Sequence, residues 1–242
     1  MSDNATSVAV FRPDDERIEA ATDLLDSLGV DPISDPMLMV DSTNEQPRED
    51  SEYTILTSKT AADLLADSDW EPSGTLCAIG ETTADALEAV GYDVDVIPTE
   101  YTSTGLVDSL DTAVAGARVE VARSDHGSPV LLEGLEDAGA YVHETVLYRL
   151  VRPDGAGCSA ERAADGTLDA ALFTSSLTVE HFLGAARELG IEAEARSGLE
   201  TAVVGVIGEP TRETAEELGI SVDVVPDTVG FESLARAVVE RL

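Results

Sequence analysis

The chain has 242 residues, 14 of them basic and 49 acidic, giving a formal charge of −35 and a sequence pI near 4.1. That length fits one large domain or two small ones, and 43% hydrophobic residues at a mean hydropathy of −0.00 exclude wholesale disorder. No apolar run approaches the roughly 18 residues of a spanning helix, and the two cysteines and three histidines exclude a disulfide framework or a four-ligand zinc site.

The N-terminus, Met1-Ser2-Asp3-Asn4, carries acid where a secretory signal would carry base, so a soluble cytoplasmic protein is expected. Lys59 is the only lysine, and acid is spread through every segment rather than gathered in a tail. So much negative charge repels itself unless it is screened, and the Debye length falls to about 3 Å near 1 M salt. The composition therefore points to a salt-rich, halophilic interior. Duplex nucleic acid is excluded as a partner, because phosphate contacts need clustered base.

In chain order, residues 8–11 read as a strand and 14–28 as a helix with apolar residues at helical spacing, stopped by Gly29. Residues 41–50 are polar and breaker-rich, and are taken as a joint. A short strand ending at Leu56 precedes Thr57-Ser58-Lys59, and 76–79 form a strand that runs into Ile79-Gly80-Glu81-Thr82-Thr83 and a helix. Strand 119–122, helix 130–138 and Gly139 repeat the opening pattern. Tyr148 sits in an apolar strand, and Pro153, Gly155, Gly157 and Gly166 mark a second joint over 153–166. Strand–helix alternation of this kind means βαβ units and a parallel sheet.

The last third repeats the middle. Ile79-Gly80-x-x-Thr83 returns 128 residues later as Ile207-Gly208-x-x-Thr211, and Gly91-x-x-Val94-x-Val96-x-Pro98 returns as Gly219-x-x-Val222-x-Val224-x-Pro226. Thr57-Ser58 has its counterpart in Thr174-Ser175, followed by Ser176. The fold expected is α/β: two small parallel-sheet α/β/α domains, one discontinuous (1–40 plus 152–242) and one inserted (41–151), joined by two chain crossings. Two such domains facing one another would form a cleft, a usual place for a ligand.

The candidate site residues follow from this layout. Thr83 and Thr211 are placed at or beside helix N-caps, where hydroxyls cap free N–H groups. With Gly80 and Gly208 they make two helix N-termini able to hold carboxylate or phosphate. Thr57, Ser58, Lys59, Ser175 and Ser176 lie at carboxyl ends of parallel strands, where open sheets bind ligands. Arg12 and Arg123 end corresponding strands, and each is either an anion contact or a salt bridge. Tyr148 reads as strand packing with a satisfied hydroxyl. Neither a hydrolase elbow nor a Walker A loop is present, and no metal cluster or cofactor motif is found. The residues alone describe a two-domain protein with a cofactor-free anion site.

The motifs together resemble the uroporphyrinogen-III synthase family. They are Thr57-Ser58-x-x-x-Ala62, Ile79-Gly80-x-x-Thr83-x-x-x-Leu87, Gly91-x-x-Val94-x-Val96-x-Pro98 and the Gly105-Leu106 helix. Arg12-Pro13 after the first strand fits too, as does Leu135-x-x-x-Gly139-Ala140-x-Val142 leading to Tyr148-Arg149. The resemblance spans nearly the whole chain in the right order. It implies two α/β domains joined by a two-stranded ladder, acting as a lyase on hydroxymethylbilane, a linear tetrapyrrole with eight carboxylates. The family removes the terminal hydroxyl as water, inverts the last pyrrole ring through a spiro intermediate and closes the macrocycle of haem, sirohaem and cobalamin biosynthesis. No metal or cofactor is implied, and a monomer without membrane or nucleic-acid partners is expected. Thr83, Ser176 and Thr211 fall on hydroxyl positions lining the family's cleft, and Tyr148 on the tyrosine associated with hydroxyl departure. This chain departs from the pattern where Pro210 precedes Thr211, and where Ser124-Asp125-His126 replaces a glycine-rich turn after Arg123. A non-catalytic small-anion-binding module and a regulatory protein derived from the same fold remain open at the level of sequence.

Overall fold

The computed structural model describes residues 6–66 and 68–242; the acidic start at Met1 to Asn4 lies outside them. The elements run β1 (Ser7–Phe11), α1 (Glu16–Ser27), β2 (Asp31–Ser34), β3 (Met39–Ser42), β4 (Tyr53–Leu56), α2 (Lys59–Leu65), β5 (Thr75–Ala78), α3 (Glu81–Ala89) and α4 (Ser103–Leu110). They continue as β6 (Arg118–Ser124), α5 (Pro129–Asp137), β7 (Tyr141–Val151), α6 (Cys158–Ala164), β8 (Ala170–Phe173) and α7 (Ser176–Glu188). The chain ends with α8 (Glu192–Leu199), β9 (Val203–Val206), α9 (Glu209–Glu217) and α10 (Phe231–Val239). Contacts divide them into two compact units, one of residues 1–39 and 151–242 and one of residues 40–150.

The first unit holds a sheet in the order β2-β1-β8-β9, every pair parallel. Its central strands β1 and β8 are apolar on both faces, as sheets covered by helices on both sides require. Ala9, Phe11, Ala171, Phe173, Val204 and Val206 pack on one face with α6, α7, α8 and α9. Val8, Val10, Ala170 and Leu172 pack on the other with α1 and α10. The second unit has the order β3-β7-β6-β4-β5, with β4–β5, β4–β6 and β6–β7 parallel. Helices α2 and α3 cover one face, and α4 and α5 the other.

Local chemistry sets the helix ends. Asp15, Ser58, Thr102, Ser128 and Ser175 each accept a first-turn amide at an N-cap, and Ser175 with Thr178 forms a reciprocal capping box. Gly29, Gly139 and Gly219 follow their helices at positive φ, where a Cβ would be strained.

The stretch read from the sequence as the second joint is structured. Residues 153–166 contain helix α6, and the chain passes between units inside strands β3 and β7, which neighbour each other in the second unit's sheet. The reason is a long-range cap. Buried Asp35, just after β2, accepts the amides of Gly157 (2.9 Å) and Ser159 (2.8 Å), so a glycine-rich stretch is fixed as a helix start. Among the described residues no helix is long and apolar enough to cross a membrane.

Candidate functional site

In both units the singled-out residues gather at the carboxyl ends of the parallel strands. In the second unit β5 runs through Ile79 into Gly80, the N-cap of α3; in the first, β9 runs through Ile207 into Gly208, the N-cap of α9. The two caps have nearly the same backbone, with φ −175 and ψ 173 at Gly80 and φ −179 and ψ 178 at Gly208. Neither glycine has a side chain to cap its helix, so first-turn amides stay open.

At α3 the amides of Thr83 and Ala84 turn back to the Gly80 carbonyl (3.1 and 3.0 Å), leaving those of Glu81 and Thr82. At α9 the Arg212 amide bonds the Gly208 carbonyl (3.1 Å), and Pro210 has no N–H to offer, leaving Glu209 and Thr211. Thr83 and Thr211 are therefore not caps. They stand at the third helical position, 4% and 3% exposed.

The remaining hydroxyls divide by role. Ser58 caps α2 by accepting from the Ala61 amide (3.1 Å), and its Oγ also lies 3.0 Å from the Tyr148 hydroxyl. Tyr148 is only 6% exposed. A β-bulge explains its place: the register of β6 with β7 shifts between Arg123 and Ser124, so that Leu147 and Tyr148 enter the same apolar cluster. Thr57 and Ser58 are half-buried, and Lys59 opens α2 as an exposed side chain. In the first unit Ser175 is the α7 cap, Thr174 donates to the Phe11 carbonyl (2.6 Å), and Ser176 donates to the Pro210 carbonyl (3.2 Å). Thr214 donates to Ser176 Oγ at 2.7 Å, so the starts of α7 and α9 are stitched together.

The two strand-end arginines part company. Arg123 is buried, its Nε donating to Glu144 (2.6 Å) and its Nη1 to the Ser128 carbonyl (2.5 Å). A Cβ on Gly127 would stand 2.4 Å from its Cδ. Arg12 is half-buried with its guanidinium 4.9 Å from the centre of the Phe231 ring, and its buried Nε has no hydrogen-bond partner among the described residues. Burial, and then the charge of Arg17, push its pKa down from the usual arginine value. Of the two, Arg12 is the one whose guanidinium is uncommitted to a carboxylate among the described residues.

Sequence reasoning did not foresee Phe231 under Arg12, Glu144 beside Arg123, or the Ser58–Tyr148 bond. All three are contacts between residues far apart in the chain. No group of three or more His, Cys, Asp or Glu side chains among the described residues is placed to hold a metal ion.

Comparison with known proteins fits this geometry. The sequence profile of the family described as uroporphyrinogen-III synthase HemD matches residues 19–236. The chain belongs to the uroporphyrinogen-III synthase family. A Methanothermobacter thermautotrophicus protein provisionally named uroporphyrinogen-III synthase is 32% identical over 250 residues, covering 95% of this chain and 96% of that one. The uroporphyrinogen-III synthase of Synechococcus elongatus is 32% identical over 203 residues, covering 78% and 75%. Among solved structures, a mutant uroporphyrinogen III synthase from Thermus thermophilus superposes with a TM-score of 0.66 at 19% identity, covering 96% of each chain. The Helicobacter pylori uroporphyrinogen-III synthetase does so at 0.61 and 13%, covering 98% and 100%. Those two likenesses speak for the fold: α/β, with parallel-dominated sheets.

Proposed function

We propose that the protein is a uroporphyrinogen-III synthase, a hydro-lyase that closes hydroxymethylbilane into uroporphyrinogen III with loss of water and inversion of the terminal pyrrole ring. The observation that carries this reading, within a chain of this family, is the duplicated helix start at Gly80 and Gly208. Each unit offers open amides at the positive end of a nine-residue helix. Such donors suit a polycarboxylate on a chain that has only 14 basic residues. Arg12 and Lys59 add positive charge, and Thr57, Ser175, Ser176, Thr83 and Thr211 supply nearby hydroxyls.

Hydroxymethylbilane closes without inversion when left alone, so the enzyme's task is to hold one folded conformation. Positioning of that kind is worth up to about 7–11 kcal/mol of barrier. Tyr148 is proposed as the acid for the departing hydroxyl. When Ser58 donates to its oxygen, the tyrosine proton is free to leave with the hydroxyl as water. The protein is further proposed to act as a monomer in a salt-rich cytoplasm, without metal or cofactor.

The test is turnover of hydroxymethylbilane in about 1 M or more KCl, where the surface charge is screened. Consumption faster than the spontaneous reaction, with type III product in the presence of a chelator, is expected. Product identical in rate and isomer to a protein-free control would favour a non-catalytic anion-binding module instead.

A further inference from the structure

Open helix amides suit carboxylates, but a tetrapyrrole also presents flat apolar ring faces, to which amides and hydroxyls offer no apolar surface. The 128-residue repeat that pairs Gly80 with Gly208 also pairs Tyr101 with Val229. These are large apolar side chains left open to solvent, 54% and 76% exposed. Each stands beside its glycine. A Cβ on Gly80 would come within 3.0–3.4 Å of the Tyr101 side chain, and one on Gly208 within 3.8 Å of Val229.

Single exposed apolar residues are ordinary on protein surfaces. Here the same exposure recurs at the same point of two repeats whose sequences otherwise share only a handful of positions, against the same open helix start. The carboxylate of Glu81, in the first turn of α3, pushes the Tyr101 hydroxyl's pKa up. Glycine at position 80 lets the ring lie over the first turn. The other strongly exposed tyrosine, Tyr141 at 71%, begins β7 opposite Arg118, at the amino end of the sheet and away from the helix starts.

Resting on the synthase reading above, we infer that Tyr101 and Val229 are substrate-contact residues, apolar ledges on which pyrrole rings lie while the neighbouring helix amides hold their carboxylates. The aromatic ledge is the stronger of the two. Stacking of a flat ring on an aromatic side chain is lost by truncation to alanine at a cost of roughly ten-fold or more in binding.

The experiment uses Tyr101→Ala, Tyr101→Phe, Val229→Ala and Tyr141→Ala in high KCl. It reads KM, kcat, the type III to type I product ratio and equilibrium binding of uroporphyrin III. Expected are a KM raised about ten-fold and a larger type I share for Tyr101→Ala, and a several-fold rise in KM for Val229→Ala. Tyr101→Phe keeps the ring and restores both readouts, Tyr141→Ala matches the wild type, and all four keep the wild-type melting midpoint. Wild-type KM, isomer ratio and uroporphyrin binding in both Tyr101→Ala and Val229→Ala overturn the inference. A loss in Tyr101→Phe equal to that in Tyr101→Ala overturns it too, since the hydroxyl and not the ring face would then matter. A wild-type protein that binds uroporphyrin III without turnover defeats the synthase reading instead, and the ledges are then judged on binding alone.

Discussion

Tyr148 and Ser58 share one hydrogen bond of 3.0 Å, and the two partners have separable jobs. Ser58→Ala removes the α2 cap as well as the tyrosine's partner, so it should cost about 1 kcal/mol of stability and lower the melting midpoint by a few degrees. Tyr148→Phe keeps the ring in its cluster and removes only the acid, so it should spare the midpoint and lower kcat by about 10²–10⁴-fold. Equal turnover in Tyr148→Phe and wild type would remove the tyrosine from the chemistry. The cysteines give a second test. Burial, with the charge of Asp95 behind it, pushes the Cys77 thiol up to about 12, while Cys158 is exposed and its thiol is raised less. Alkylation at pH 8 should therefore label Cys158 alone until the protein unfolds. Because the Cys77 pKa is raised in the fold, stability is unaffected below about pH 9 and erodes as pH climbs toward 12, where only the unfolded chain has lost the proton. Two labels on the native protein would contradict the packing around Cys77. At this scale the sequence was least readable. Arg12 and Arg123 look alike in the chain, yet one lies over Phe231 and the other is pinned by Glu144. With 49 acids to choose among, spacing could not say which one an arginine meets.

Among the elements, the repeat was legible because it preserves a mechanism and not only a pattern. Asp95 accepts the amide of Leu76 (2.8 Å), and Asp223, 128 residues on, accepts that of Val204 (3.0 Å). Each carboxylate takes an edge amide of β5 or β9, and a single parallel bridge follows, Cys77 with Val96 and Gly205 with Val224. The Val-x-Val stretches thus lie against the sheet edge without becoming full strands, which protects that edge from pairing with another chain. Asp95→Ala should cost roughly 1–3 kcal/mol, since it leaves a part-buried amide without its charged acceptor. A thermal melt shows this, and a midpoint unchanged by the substitution would contradict the role. Gly198 is another fixed point: a Cβ there would stand 1.8 Å from the Ala163 carbonyl oxygen, so Gly198→Ala should force α6 and α8 apart and destabilise the first unit severely. The second joint misled the sequence reading for a physical reason. Gly155, Gly157 and Pro153 look like a linker, but the cap that makes α6 comes from Asp35, more than a hundred residues earlier. Likewise Thr83 and Thr211 carry the residue type of a cap, and only the backbone shows that the glycines three positions earlier take that place.

For the whole molecule, charge is the dominant fact. The ion pairs among the described residues are mostly exposed, including Arg236–Glu232 and Arg187–Glu192, and exposed pairs of this kind contribute about 0–1 kcal/mol each. They cannot offset the mutual repulsion of a −35 chain. Raising KCl from roughly 0.1 M to 1 M shortens the Debye length from about 10 Å to about 3 Å and should raise the melting midpoint markedly. Equal midpoints at the two concentrations would mean that the acidity is not an adaptation to salt. Composition, strand–helix alternation and the repeat made the α/β class readable from the chain alone. The membership of the chain in its family rests on the same residues, matched from 19 to 236. This acidic fold is proposed to steer a linear tetrapyrrole into the inverted macrocycle by holding its conformation. The measurement that tests it most directly is a single-turnover reaction with hydroxymethylbilane and excess protein in high KCl, with the isomers separated by chromatography. Nearly all product as uroporphyrinogen III is the predicted result, and product that is all type I would contradict it.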